Sequence, residues 1–463
     1  MRSGRREGGQ GTLMRVFRTI PLLRFHTPES VFARRRDLAI TAGSFIAEAA
    51  FLASQLPAQP YILNLCADRY HFAVGVAAAL LRGQISLLPP NQTPDLLERL
   101  GRQYPGVYCL SDGADVPTAL RIMRYPDLSR FGSPSATIPE IPAQQLAAIL
   151  FTSGSTGDPI PHAKTWGEFV HAIQSGAGRF GILGSGDLTL LGTVPPQHMF
   201  GFETTVLYAM QGGMVLNAAK PFFPADIADA LNAIPGAKGL VTTPVHLRAL
   251  LGSGIALPAL DLMICATAPL ARELALQAET AFGAPLYEIY GSTETGQMAS
   301  RRTALTEEWR TLDGIALRQQ GETTYVSGGH VGAELPLNDV LELRSDTTFL
   351  LHGRTADLIN IAGKRTSLPS LNHHLNRIEG VQDGVFFMPD EAGDVTARLA
   401  AFVVAPDLDT ADILAVLRQR IDPVFLPRPL VKVDVLPRNA TGKLSQASLS
   451  MLLQQARRSA GHE

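Results

Sequence analysis

The sequence predicts an α/β protein in two parts, a large N-terminal domain with parallel strand pairing and a small α+β C-terminal domain. Three observations carry that expectation. Short apolar runs alternate with Ala- and Leu-rich helical stretches from about residue 60 to 290, the rhythm of strands joined through helices. After about residue 355 the rhythm changes to successive strands around a polar turn. At 463 residues the chain is also too long for one ordinary core. The division expected is a disordered tail at 1–14, a large domain at 15–354 and a small domain at 355–463.

The elements follow in order. "YILNLC" (61–66) is a short apolar run, a candidate buried strand. "HFAVGVAAALLRG" (71–83) reads as a helix stopped by Gly83, and "QISLLPP" (84–90) as the next strand. The alternation continues with "MVLNAA" (strand), "FPADIADALNAI" (helix), "GLVTTP" (strand) and "PVHLRALL" (helix). "DLMICAT" (strand), "LARELALQAETAFG" (helix) and "PLYEIYG" (strand) complete it. In the last part, "GVFFMP" and "RLAAFVVAP" read as strands. "TADILAVLRQRI" repeats apolar residues at Ile413, Leu417 and Ile421 on one helical face. "LVKVDVLP" is a third strand and "SQASLSMLLQQA" a closing helix, giving a unit of about 110 residues, enough to fold. The Pro-rich stretch 132–142 reads as a surface connection.

Composition excludes several classes. With 46% hydrophobic and 18% charged residues the chain is an ordinary globular protein. A net charge of -2 gives no electrostatic footprint for nucleic acid. The apolar run in "FAVGVAAALL" is halted by Arg82, short of a membrane span. The basic start lacks a hydrophobic signal core. Cys66, Cys109 and Cys265 lie far apart without metal-ligand spacing, and a reducing, cytoplasmic location is expected.

Four constellations carry chemistry. Thr152, Ser153, Gly154, Ser155, Thr156 and Gly157 follow the apolar strand "LAAILF", where glycines turn backbone N–H groups toward an anion and hydroxyls add donors. The Gly-Lys-Ser/Thr ending of a P-loop is absent, and a plain Ser/Gly-rich turn is the alternative. "YEIYGSTETG" (287–296) ends a strand in Tyr290, Gly291, Ser292, Thr293 and Glu294, residue types suited to base stacking, phosphate hydrogen bonding and Mg²⁺ ligation. "LHGRTADLINIAGKRTSLPSL" (351–371) lies at the composition change. "LPRNATGKLSQ" (436–446) contains a turn that presents Lys443, with Gly442 available for positive φ.

In this order and spacing the four motifs resemble the acyl-adenylate-forming superfamily of acyl- and aryl-CoA synthetases, luciferases and peptide-synthetase adenylation domains, over about residues 25–455. The resemblance implies a large N-terminal adenylate-forming domain with stacked α/β subdomains and a small, mobile C-terminal domain. It implies ATP and Mg²⁺ as cofactors, a carboxylic acid activated to acyl-AMP, and transfer to a thiol of CoA or phosphopantetheine. Thr152–Gly157 would then cradle the β,γ-phosphates, and Thr267 and Ala268 of "ATAPL" would line the adenine. Tyr290 and Gly291 would flank the adenine, Thr293 would hold the α-phosphate and Glu294 the Mg²⁺. Asp339 and Arg354, fifteen residues apart, would grip the ribose, although Leu337-Asn338 replaces the usual Thr-Gly before the aspartate. Lys443 would be the catalytic lysine, the chain would hinge just after Arg354, and Gly363 would face the pantetheine tunnel.

Two positions depart from the family. Ile160 occupies the place of the phosphate-loop lysine. Lys164 lies up to about 13 Å further along an extended chain, so Lys164 and His162 are candidate substitutes and the loop backbone alone is the alternative. Ala356 replaces a charged hinge residue.

For the acyl pocket, His198 occupies the family's gating position before Gly201, and Met199, Phe200, Phe202 and Val245 suggest apolar walls for an aromatic or short-to-medium acid. Glu203 could bond a substrate hydroxyl, pair with an amino group, or start a surface helix. "TSGSTGDPIPHAKTW" also looks like ligases of aryl-polyene pathways, which activate hydroxybenzoate-type acids and load them on a separate acyl carrier protein. The rival readings are an amino-acid adenylation enzyme and a non-catalytic adenylate-binding module.

Overall fold

The computed structural model describes residues 19–89, 92–113, 119–126, 133–153, 159–321, 323–354, 358–361, 364–389, 399–439 and 442–460. Among the described residues, two large sheets organise the N-terminal part. The smaller has six strands in the order Pro159–Thr165, Leu146–Ser153, Ile85–Leu88, Tyr61–Asn64, Tyr108–Ser111 and Ile122–Arg124. Its inner pairs are parallel and its Pro159–Thr165 edge is antiparallel. The larger has eleven strands. Its centre is parallel, from Val215–Asn217 through Thr189–Gly192, Lys238–Thr242 and Leu262–Cys265 to Leu286–Ser292. Four antiparallel strands, Gly296–Arg301, Trp309–Thr311, Thr348–Arg354 and Asp339–Leu343, extend one end.

The helices that hold these sheets are cut by their sequences. Asp68 caps Arg69–Arg82 by accepting the Tyr70 and His71 N–H groups, and Gly83 closes it at φ 70. Its alanines and aliphatic residues are buried nearly all round, as expected of a core helix. Thr165 and Glu168 form a reciprocal capping box that starts Trp166–Arg179. The strands and helices expected between residues 61 and 292 all form.

Small C-terminal strands Asp383–Phe387 and Ala400–Val404 pair antiparallel, and Leu430–Lys432 joins in parallel. Alternation explains why this sheet is buried on both faces: Phe386, Ala401 and Val403 face one apolar cluster, Phe387, Ala400 and Phe402 the other. Helices Leu368–Asn376, Thr410–Arg420 and Gln446–Ala460 belong to the same part of the chain.

Three features differ from expectation. The end of the Pro-rich stretch, Glu140–Pro142, is a strand paired with Thr19–Pro21 rather than a free connection. The third C-terminal strand is only three residues long. Residues Phe202–Gly212 form a π-helix, wider than an α-helix, with the Thr204 and Thr205 hydroxyls donating to the Phe200 and Gly201 carbonyls. No helix among the described residues is long and apolar enough to cross a membrane.

Candidate functional site

Strands Leu146–Ser153 and Pro159–Thr165 pair as a hairpin on either side of residues 154–158. Gly154, Ser155, Thr156 and Gly157 lie outside the described residues, as do Ala356 and Gly363. Ile160 pairs with Thr152 in the ladder and is 49% exposed, so an apolar side chain stands at the loop's exit. Strand periodicity puts His162 and Lys164 on the same face as Ile160. His162 Nε2 is hydrogen-bonded to Thr152 Oγ1 at 2.9 Å and lies 3.9 Å from the Glu294 carboxylate. Lys164 is buried and donates to the Glu294 carbonyl at 2.7 Å. Of the two candidate substitutes, His162 therefore sits beside Thr152, whereas Lys164 points past it.

Between Leu286–Ser292 and Gly296–Arg301, the Ser292 N–H donates to Thr295 Oγ1 (3.1 Å) and the Thr295 N–H to Ser292 Oγ (3.2 Å). This pair pins the turn and leaves half-buried Thr293 and Glu294 at its tip. Gly291 has no room for a Cβ, which would collide with the Gly296 carbonyl. Tyr290 packs against Trp309 and Phe349, and its hydroxyl donates to Asp339 Oδ2 at 2.6 Å. Asp339 and Arg354 are Cα partners across their antiparallel ladder, which explains their fifteen-residue spacing. Thr267 adopts φ 84, a left-handed conformation that a β-branched residue takes only under constraint. Ala268 follows it, and Glu288 holds this loop by accepting the Leu270 N–H while bonding Arg301 and Thr303.

His198 precedes the short helix Met199–Gly201, where a Cβ on Gly201 would strike the Pro195 carbonyl. Burial, with Lys443 nearby, pushes the His198 imidazole down to about 4, so it is neutral at physiological pH. Lys443 comes from the expected turn: Asn439 N–H donates to the Lys443 carbonyl and Gly442 N–H to the Asn439 carbonyl, with Gly442 at φ 77. That turn rests on helix Pro244–Gly252, where a Gly442 Cβ would lie 3.1 Å from Val245 Cγ2. Val245 thus meets the lysine turn. Phe202 also departs from its expected place in the pocket wall; it packs edge-on to Phe72 and Phe169 in the core.

Glu203 does not start a surface helix. It is 3% exposed in the first turn of the π-helix, and its Oε2 accepts the Gln297 N–H at 3.2 Å. Burial raises its carboxyl to about 8 against the opposing pull of Lys164. It lines a small cavity with Lys164, Phe169, Met199, Thr295 and His330. Phe200 is buried in the main core beside Met199. His330 was not anticipated: it sits in the turn before Gly332–Pro336, and its only sequence signal is the Gly-Gly pair ahead of it.

Comparison with known proteins bears on the family and the fold. Residues 57–341 match the family model described as AMP-binding enzyme. A 4-coumarate–CoA ligase of Rhodobacter capsulatus is 28% identical over 275 residues, covering 59% of this chain and 67% of that protein. A 4-chlorobenzoate–CoA ligase of an Arthrobacter species is 26% identical over 356 residues, covering 65% of each. Among solved structures, the O-succinylbenzoate coenzyme A synthetase of Bacillus subtilis with AMP superposes with a TM-score of 0.77 at 19% identity, over 91% of this chain and 96% of that one. ATP-bound MatB from Rhodopseudomonas palustris gives 0.78 at 18%, over 92% and 96%. The fold is accordingly that of a large adenylate-forming domain with a smaller C-terminal domain, and since the family model spans more than half of its length, the chain belongs to the AMP-binding enzymes.

Proposed function

We propose that this protein is an AMP-forming acid–thiol ligase. It would activate an aromatic, hydroxybenzoate-like acid with ATP and pass the acyl group to the thiol of CoA or of a carrier protein's phosphopantetheine. The observation that carries the reading is the position of Lys443: a lysine on a glycine turn of the C-terminal part, close enough to His198 to disfavour its protonation. The CoA-ligase relatives support the thiol. A carrier acceptor supplied by a separate chain is the finer proposal, resting on the sequence's likeness to aryl-polyene ligases.

In this reading the acid's carboxylate oxygen attacks the α-phosphorus of ATP, the bond from that phosphorus to the α,β-bridging oxygen breaks, and pyrophosphate leaves. The Lys443 ammonium offsets the repulsion between two anions and holds charge as it builds. Thr293 donates to the α-phosphate. Thr152 and the following loop take the departing phosphates. Tyr290, oriented by its bond to Asp339, flanks the adenine against Thr267 and Ala268, while Asp339 and Arg354 take the ribose. Glu294 fits a Mg²⁺ site that uses one carboxylate and substrate phosphates, its side chain being partly exposed, with His162 Nε2 at 3.9 Å. When bound, Mg²⁺ would neutralise phosphate charge there. The thiol then attacks the acyl carbonyl, AMP departs and the thiol proton is released. Neutral His198 can line the acyl site without adding charge. The 354/355 boundary and Gly363 belong to this proposal as hinge and tunnel, with rotation of the small part exchanging the two half-reactions.

The test is pyrophosphate release with ATP and Mg²⁺ across hydroxybenzoates, cinnamates, fatty acids and amino acids, repeated with Lys443→Ala. Acid-dependent release that the variant loses by at least about 100-fold is expected. Release that survives the variant, or none with any acid, would sink the reading.

A further inference from the structure

We propose that the acid taken by this site carries a single uncharged hydroxyl at the end remote from its carboxyl group, read jointly by Glu203 and His330, with Lys164 fixing the charge the pocket refuses. The inference rests on the ligase reading above and adds the two recognising side chains and the chemical class they select.

Its foundation is a pair of unpartnered polar groups. Glu203 and His330 are each 3% exposed. Glu203 Oε1 has no hydrogen-bond partner, and neither does either ring nitrogen of His330. The Thr295 and Gln297 carbonyls favour the protonated ring but lie outside hydrogen-bond geometry. Buried polar atoms are rarely left so, because each lost bond to water goes uncompensated. Both groups converge on one place. A Cβ built on Gly296 would stand 2.9 Å from Glu203 Oε1 and 3.7 Å from His330 Nε2, with Met199 Cε at 3.5 Å. Gly296 carries no side chain and has φ 73, so the space is kept open by a residue the backbone demands. Both groups thus face the same space beside Gly296. Phe169, Ala172 and Met199 give the lining an apolar side, beside the polar Lys164, Glu168 and Thr295. A ligand that lays an apolar edge on those three residues and turns one polar atom to Glu203 and His330 uses both.

Charge narrows the group further. The buried Lys164 ammonium sits on the same cavity, so a substrate ammonium would bring two cations together out of water. A second substrate carboxylate fares no better: Glu168 and Glu294 already act on that one lysine, and an added anion has no counter-ion left. A hydroxyl needs none. With Glu203 protonated and His330 neutral, it can accept from the carboxyl O–H and donate to a ring nitrogen. Sites built to bond a substrate hydroxyl discriminate strongly against the analogue lacking it, because their own polar groups are then stranded.

The experiment compares 4-hydroxybenzoate and 4-hydroxycinnamate with benzoate and cinnamate, and with the 4-carboxy and 4-aminomethyl benzoates, by kcat/KM for pyrophosphate release. The full-length protein is used with Glu203→Met and His330→Phe. Expected is a hydroxy-to-deoxy ratio on the order of 100 or more, falling below about tenfold in either variant. A ratio near one, a ratio unmoved in both variants, or preference for the charged analogues would overturn the inference. Calorimetric binding of the 4-hydroxybenzoyl and benzoyl sulfamoyl-adenosines separates the two proposals. Tighter binding of the hydroxylated compound by about tenfold or more, in a protein that releases no pyrophosphate, would uphold the pocket and remove the ligase; equal binding would remove the pocket.

Discussion

Glu203→Gln tests the protonation state of the buried carboxyl without reference to substrate. The carboxyl is fully buried and its pKa stands at about 8 against an ordinary 4.5. The folded state therefore holds its proton over a pH range where the unfolded chain has lost it, and stability falls as pH rises. The contribution is intact below about 4.5, declines through neutrality and levels off above about 8. At about 1.4 kcal/mol per pH unit, the ceiling is on the order of 5 kcal/mol. Glutamine keeps the size and an acceptor for the Gln297 N–H but does not titrate. Its melting temperature relative to the native protein should thus climb from pH 5 to pH 8 by several degrees, and hold constant above pH 9. Calorimetry at each pH reads the difference. The competing picture is an ionised Glu203 stabilised by Lys164. It predicts the opposite sign, with the substitution growing more harmful as pH rises from 4, and that result would refute the neutral-carboxyl argument.

Three further substitutions test other parts of the site. Arg69 is fully buried and donates to Thr205 Oγ1 and to the Gly192 and Val194 carbonyls, tying the π-helix to the strand end before His198. Arg69→Ala should cost about 3–5 kcal/mol by stranding those acceptors, read as a fall in denaturation midpoint; a loss under about 1 kcal/mol would show that the loop holds itself. Thr267→Gly should raise stability by about 1 kcal/mol through relief of its φ 84 strain, whereas destabilisation would mean the threonine side chain outweighs the strain. Tyr290→Phe removes the 2.6 Å bond to Asp339 but keeps the ring; KM for ATP should rise roughly tenfold with kcat little altered, and an unchanged KM would detach that bond from nucleotide binding.

Periodicity made most of the fold legible. Strands buried on both faces appear as apolar runs, and helices declare themselves through caps such as Asp68 and Gly83. The Asp339–Arg354 pair was readable only through the family resemblance, and the antiparallel ladder that sets the two opposite each other explains its spacing. What stayed hidden depends on the third dimension. The π-helix of Phe202–Gly212 carries no distinct pattern, since its apolar residues suit an α-helix equally. Glu203 looked like a helix-start acid because its burial is imposed by Trp166–Arg179 and Gly296–Arg301, far away in sequence. His330 lies in a short turn whose glycines announce the turn but not the cavity behind it.

The displaced lysine shows how a one-dimensional reading can mistake a residue's task. On paper Lys164 was a late substitute for the cation missing at Ile160, four residues away. On a strand, four residues are two pleats along one face, about 13 Å, and the hairpin's register makes that distance real: Ile160 is level with Thr152, Lys164 with Ala148. The charge has therefore moved from the loop end of the strand toward the cavity lined by Glu203, where it meets the Glu294 carbonyl. His162, half-way between, is the cation candidate nearest Thr152, yet burial lowers its pKa from the ordinary value and works against a positive charge there. A phosphate held at this loop would be met chiefly by backbone N–H groups and hydroxyls. The lysine, spared that duty, stands on the cavity proposed above to receive the far end of the acid.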